Sequence, residues 1–246
     1  MMSKEAVLIL GARSDIGFAV ARRFAQAGHA IQLALRDAQG FEDHRRDLEL
    51  RSNVGVTLHE FDVLDSAGIE PFLDSLPELP IVVVCAVGTM NEQGRSEQEP
   101  DLASLDMRSN FEGPALVLGA IANRFETRGR GTIVGISSVA GDRGRATNYI
   151  YGAAKAGFSA FLSGLRNRLT GTGVHVITVK PGFVATRMTD GLDLPEKLTA
   201  APSELGEAIF SAVQKGRNVI YVRRVWWLVM TIICAIPEAI FKKLRI

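Results

Sequence analysis

Cysteine is scarce in these 246 residues. Cys85 and Cys234 are the only two, and they stand far apart, each in an apolar run. Both read as small buried hydrophobes, and a structural disulfide is not expected. The four histidines, His29, His44, His59 and His175, share no metal-ligand spacing with them, so no metal is expected. No apolar stretch reaches the roughly 20 residues of a membrane-spanning helix. Residues 1–5 are too short and polar for a secretory signal, which leaves a reducing cytoplasm as the expected setting. A strong excess of one charge is also missing: the formal net charge is +1. The body of the chain is slightly acidic and carries no aromatic–basic surface motif, which argues against a nucleic-acid partner. No repeat, low-complexity tract or long linker divides the sequence.

What is present is an alternation. Short apolar runs recur near 6–10, 31–35, 54–61, 81–87, 132–136, 174–179 and 219–222, with helical patterns between most of them. Runs of this kind suit strands buried on both faces, as in a parallel sheet. Right-handed crossovers then give an α/β fold, a doubly wound parallel sheet of the Rossmann type in a single domain. The polar stretch 94–100 reads as a turn-like insert.

The first run leads into Gly11-Ala-Arg-Ser-Asp-Ile-Gly17 and then a helical pattern from Phe18. Strand, glycine turn and helix form the context for binding a dinucleotide pyrophosphate at a helix N-terminus. Candidate cofactor residues here are Gly11, Arg13, Ser14, Asp15, Ile16 and Gly17. The second strand ends at Leu35-Arg36, where an NAD site would carry an acidic residue. Arg36 with Arg13 suits a 2′-phosphate, so NADP(H) is favoured over NAD(H). The plainer reading makes Arg36 a solvated charge beside Asp37.

Tyr151 and Lys155 stand one helical turn apart in Tyr-Gly-Ala-Ala-Lys, and Ser138 lies thirteen residues before the tyrosine. A lysine on the same helix face favours the phenolate and is expected to lower the tyrosine pKa towards neutrality. A serine hydroxyl adds a second hydrogen bond to a substrate oxygen. Together the three groups suit proton transfer to a carbonyl oxygen, half of a hydride-transfer reaction.

With these motifs, and with Asp62-Val63, Asn110, Ile136-Ser-Ser138 and Pro181-Gly182 in order, the chain resembles the short-chain dehydrogenase/reductase family over about residues 5–222. That resemblance implies that Asp62 and Val63 border the adenine and that Lys155 binds the nicotinamide ribose. It implies further that Asn110 supports a water-linked proton relay, and that Pro181, Gly182, Val184 and Thr186 approach the carboxamide. The family often has Asn-Asn-Ala-Gly after the fourth strand. Here Cys85-Ala-Val-Gly88 stands instead, and Gly88 keeps the close approach. In the family, helices placed like 102–126 and 148–170 form subunit interfaces, which implies a homodimer or homotetramer. Ser14-Asp-Ile-Gly17, the stretch 137–151 and the end Ile236-Pro-Glu-Ala-Ile-Phe-Lys-Lys-Leu244 resemble more narrowly the decaprenylphosphoryl-2-keto-ribose reductases. This implies a keto-sugar carried on a polyprenyl phosphate. Other lipophilic ketones, and a non-catalytic nucleotide-binding scaffold, remain as alternatives.

Arg143, Arg145 and Asn148 lie between Ser138 and Tyr151 and are candidate substrate-binding residues at the cavity mouth. The segment 183–201 is the expected substrate lid, with Gly182 as a hinge. Beyond the cofactor-binding domain, 1–222, the tail 223–246 combines the apolar run 225–236 with flanking Arg223, Arg224, Lys242 and Lys243. Basic flanks and tryptophans at the start of the run suit peripheral docking at a membrane surface. The competing reading packs the tail over the substrate cleft or against a second subunit.

Overall fold

The computed structural model describes residues 4–191 and 193–244. Leu192 of the expected lid and Arg245 and Ile246 of the basic tail lie outside the described residues, as do residues 1–3. Seven parallel strands form the main sheet: β1 (Lys4–Leu10), β2 (His29–Leu35), β3 (Val56–Glu60), β4 (Val82–Cys85), β5 (Gly131–Ile136), β6 (Val174–Pro181) and β9 (Val219–Val222). Their order is β3-β2-β1-β4-β5-β6-β9. The order reverses between β1 and β4, so a crevice opens at their carboxyl ends, the usual ligand position in such sheets. A separate parallel pair, β7 (Phe183–Val184) and β8 (Thr199–Ala200), bounds the lid segment.

Side-chain alternation sorts the apolar runs onto two faces. Val7 and Ile9 join Leu33, Val84 and Ile177 under helices α1 (Asp15–Gln26) and α8 (Pro202–Gln214). Leu8 and Leu10 join Val83, Ile133 and Val176 under α6 (Gly113–Arg128) and α7 (Tyr149–Arg168). Cys85 belongs to this second core, but Cys234 is exposed, against the expectation of burial. Its thiol reaches Asp142 O at 3.5 Å but stays open to solvent in the last turn of the tail helix.

Two local expectations change. The stretch 94–100 is helical for most of its length, as α4 (Gln93–Gln98), with Arg95 paired to Glu99 one turn on. The long helix expected over 102–126 is divided. A wider π turn, Arg108–Glu112, separates α5 (Pro100–Met107) from α6. Such turns often mark functional sites, and this one carries the fully buried Asn110.

The chain passes from β9 into α9 (Val225–Ala235), and Pro237 then caps the short α10 (Glu238–Phe241). Among the described residues no helix is long and apolar enough to cross a membrane. Trp226 and Met230 turn inward, while Trp227, Leu228 and Ile232 face outward. Burial of Trp226 corrects the expectation of two interfacial tryptophans. Its indole N–H donates to Leu198 O at 3.0 Å, and its ring meets Phe183 edge-on. Arg223 also faces inward, bonding the Glu204 carboxylate and the carbonyls of Glu196 and Lys197. Of the two arginines expected to flank the run at a membrane surface, only Arg224 is exposed.

Candidate active site

Ser14 begins the site. Its hydroxyl oxygen accepts from Gly17 N at 3.0 Å and caps α1, while Gly11 takes φ +80° to make the turn. A Cβ on Gly17 would stand 2.6 Å from Gly11 O, so Gly17 closes the turn and does not itself line the crevice. Gly11, Arg13, Arg36, Asp62 and Val63 line a cleft of about 180 Å³. Ser14 and residues 86–89 border both this cleft and a larger cavity of about 840 Å³.

Arg13 donates to the carbonyls of Arg36 and Asp37 and to the Asp37 carboxylate, while Arg36 is exposed. One guanidinium is thus held at the strand end and the other projects freely. Asp62 holds its own turn by accepting from Leu64 N at 3.0 Å. Asp15 and Ile16 line the larger cavity, and the Asp15 carboxylate is bound by Arg187 from the lid, at 2.8 Å to the backbone N–H. Asp15 therefore ties the segment 183–201 to the glycine turn, a role its place in the sequence did not reveal.

Ser138, Tyr151, Lys155, Asn110, Gly88, Pro181, Gly182, Val184 and Thr186 all line the larger cavity. Ser137 also borders the cavity, but its hydroxyl is engaged by Lys155 O and Ser159. Ser138 is left facing the cavity and hydrogen-bonds Tyr151. Lys155 is buried, and its ammonium donates to Ile136 O at 3.1 Å. The Asn110 amide donates to Thr89 O and Asp106 O, leaving Oδ1 buried without a donor. A Cβ at Gly88 would stand 2.8 Å from that oxygen and 3.4 Å from Lys155 Nζ, so glycine alone leaves both groups their place.

The electrostatics correct one expectation. Burial pushes the Tyr151 hydroxyl up to about 12, against the lowering effect of Ser138, and the buried Asp106 carboxylate adds to the rise. Lys155 does not depress it. Burial instead pulls the Lys155 ammonium down to about 8. In the free chain desolvation outweighs the attraction between the two groups. Tyr151 is therefore held as a proton donor, and Lys155 is easily discharged.

Arg143 departs from its expected role. It lies outside the cavity wall. Its guanidinium donates to the carbonyls of Ile233 (2.7 Å) and Ile236 (2.6 Å), pairs with Glu238 (2.9 Å) and lies over the Phe241 ring. It satisfies the carbonyls left open at the end of α9. Arg145 and Asn148 do line the cavity. Two further residues line the cavity, the first without a sequence signal and the second as expected of a tail packed over the cleft. Asp106 is buried one turn before Asn110 and accepts from Asn91 and Ser96. Trp226 reaches the cavity from the tail, and a Cβ on Gly182 would run into its indole.

The sequence and the fold are similar to those of known proteins. The chain belongs to the short-chain dehydrogenase family, whose model matches residues 5–197, and it is an NAD(P)-dependent oxidoreductase. An uncharacterized oxidoreductase of Mycobacterium tuberculosis (strain H37Rv) is 38% identical over 88% of this chain and 87% of its own length. Sulfoacetaldehyde reductase 2 of Chromohalobacter salexigens is 35% identical over 74% of each chain. A solved short-chain dehydrogenase from Sphingobium yanoikuyae in complex with NADPH is similar with a TM-score of 0.81 and 27% identity, covering 96% of this chain and 98% of its own.

Proposed function

We propose that the chain is an NADPH-dependent reductase of a keto group on a lipid-carried substrate, a polyprenyl-phosphate keto-sugar, and that its tail docks at a membrane surface. The observation that carries this reading is a shared cavity. The four catalytic candidates line it together with Trp226 of a tail helix whose opposite face is apolar and exposed.

The crevice fits the nucleotide. A capped helix N-terminus, the left-handed Gly11 turn and two cations at the end of β2 offer sites for a pyrophosphate and a 2′-phosphate. Gly11, Arg13, Ser14, Ile16, Arg36, Asp62 and Val63 would hold the adenosine end. Gly88, Lys155, Pro181, Gly182, Val184 and Thr186 would hold the nicotinamide end. When bound, NADPH supplies the hydride.

The chain's own residues supply the rest. Ser138 and Tyr151 hydrogen-bond the substrate's carbonyl oxygen. Tyr151 gives its proton to that oxygen as negative charge develops there. The Lys155 ammonium stabilises the phenolate left behind. Asn110 Oδ1 accepts from a water that returns a proton towards Lys155, which suits its buried, donorless state.

Lipid docking is supported by charge beside the exposed apolar face. Trp227, Leu228, Ile232 and Ile240 lie outward, near exposed Arg224, Lys242 and Lys243. Pairing of two copies is supported by exposed Met107, Phe111 and Leu116 along α5, the π turn and α6. A second reading, a small anionic aldehyde or ketone, is favoured by the likeness to the protein named sulfoacetaldehyde reductase 2.

The test is NADPH oxidation by purified protein with and without a membrane lipid extract, followed by mass spectrometry. The proposal expects extract-dependent oxidation and a reduced polyprenyl-phosphate sugar. Oxidation with a small anionic ketone alone supports the second reading instead.

A further inference from the structure

Arg145 stands apart among the arginines of the described residues. The others are ion-paired, bonded to carbonyls, stacked on a ring or exposed to solvent. Arg145 is half-buried on the cavity wall, and its Nε is buried with no hydrogen-bond partner. The carboxylates nearby are engaged. Asp142, whose charge attracts Arg145, holds Lys180 at 2.5 Å and accepts from the Tyr221 hydroxyl at 2.9 Å. Glu238 holds Arg143. On the same cavity wall Asp15 holds Arg187, Asp106 accepts from Asn91 and Ser96, and Glu92 is exposed. Close by, Asn148 Oδ1 is also buried and lacks a donor.

A half-buried guanidinium with no ion pair or hydrogen bond of its own is costly, and so is a buried amide oxygen without a donor. Both deficits vanish with one ligand that brings an oxyanion and a neighbouring hydroxyl. We propose that Arg145 and Asn148 form a subsite for an oxyanion of the carbonyl substrate (a phosphate, sulfonate or carboxylate), with Asn148 accepting from an adjacent hydroxyl. This deepens the reductase reading and rests on it for the identity of the substrate. The binding chemistry is common to a sugar phosphate and a small anionic ketone. Burial, which pulls the Arg145 pKa below the ordinary arginine range, agrees with a charge that lacks solvent and partner.

Arg143 and Arg145 then divide the work of one loop. Arg143 fastens the loop to the tail, and Arg145 faces the cavity. A substrate anion would be met by a guanidinium carried on a fastened loop rather than a loose one, which lowers the ordering cost of binding.

Calorimetric titration of glycerol 3-phosphate and of glycerol into NADPH-saturated protein tests the subsite, because the nucleotide then fills the other anion cradle. The expected result is clear preference for the phosphate. Arg145→Met should weaken its binding about 10- to 100-fold, Arg145→Lys should restore part of it, and Asn148→Ala should give a smaller loss. Unchanged NADPH affinity in each variant shows that the fold is intact. Equal binding of glycerol 3-phosphate by Arg145→Met and the parent protein overturns the subsite, as does no binding by the parent. Phosphatidylglycerol vesicles separate the two sources of such an anion. Vesicle binding that survives Arg145→Met supports a substrate subsite, and vesicle binding lost with it assigns Arg145 to bulk headgroups and overturns the proposal. Phosphate binding through Arg145 in a protein that reduces no keto lipid keeps the subsite and removes the lipid substrate.

Discussion

The two sides of the cavity are built by different means. On the nucleotide side, strand ends and helix starts place Ser14, Tyr151 and Lys155 through neighbours close in the chain, while Arg13 and Asp15 are tied across longer spans. Ser14 caps its own helix, and Tyr151 and Lys155 share the first turns of α7. On the substrate side, side chains reach across 38 to 93 residues. Arg143 holds the end of α9, Asp142 ties Lys180 to Tyr221, and Trp226 closes over Gly182. Backbone placement gives a site that is hard to alter except at the reacting group itself. Side-chain placement gives one that single substitutions loosen without touching the chemistry.

The largest expected effect lies on the nucleotide side. Tyr151→Phe should lower turnover by about 10³-fold, in the range of a lost general acid, while NADPH titration stays unchanged. Full turnover by this variant would remove Tyr151 from the mechanism. On the other side, Arg143→Ala should cost about 2 kcal/mol in urea unfolding, because its bonds to the α9 carbonyls and Glu238 are charge-assisted. It should also raise KM more than it lowers kcat. A variant as stable as its parent would show that the clamp does not hold the tail.

Gly182→Ala drives a methyl into the Trp226 indole. The expected penalty is about 1–3 kcal/mol, with altered tryptophan fluorescence as the tail shifts. Lys155 offers a smaller and pH-dependent contrast. Its pKa falls to about 8 in the folded chain, so above pH 8 the unfolded chain binds the extra proton and stability rises with pH. Between pH 8 and 9 the gain should be about 1 kcal/mol. Cys85, pushed up to about 11 from 9.0, opposes it only above pH 9, where an unfolded thiol ionises. Urea midpoints at pH 7, 8 and 9 check this, and a flat series would contradict the buried ammonium. Smallest in stability terms is Trp227→Ser on the exposed face of α9. Urea unfolding should move by less than about 0.5 kcal/mol, while sedimentation with anionic vesicles should decline.

The same contrast explains what the sequence disclosed. The apolar alternation located the strands of the main sheet to within a few residues but not the short pair β7 and β8, and the spacing of Ser138, Tyr151 and Lys155 brought three groups to one cavity because each spacing is local. Arg143 and Arg145 look alike in sequence, two positions apart on one loop. Only the fold sends one to the tail and the other to the cavity. Trp226 and Trp227 are adjacent, yet helix geometry buries the first and exposes the second. Asp106 carried no signal, because its burial depends on the α4 residue Ser96 and on Asn91 folding over it. The fall in the Tyr151 pKa expected from Lys155 failed for a related reason. Helix spacing places two groups together but says nothing of the solvent that both lose on folding.

The most direct test of the central claim follows the hydrogen. NADPH deuterated at the transferring position is incubated with the protein and a membrane lipid extract, and the reduced lipid is read by mass spectrometry. Deuterium on a carbinol carbon of a polyprenyl-phosphate sugar, absent with Tyr151→Phe, is the expected result. Product without label, or the same label with Tyr151→Phe, would contradict it.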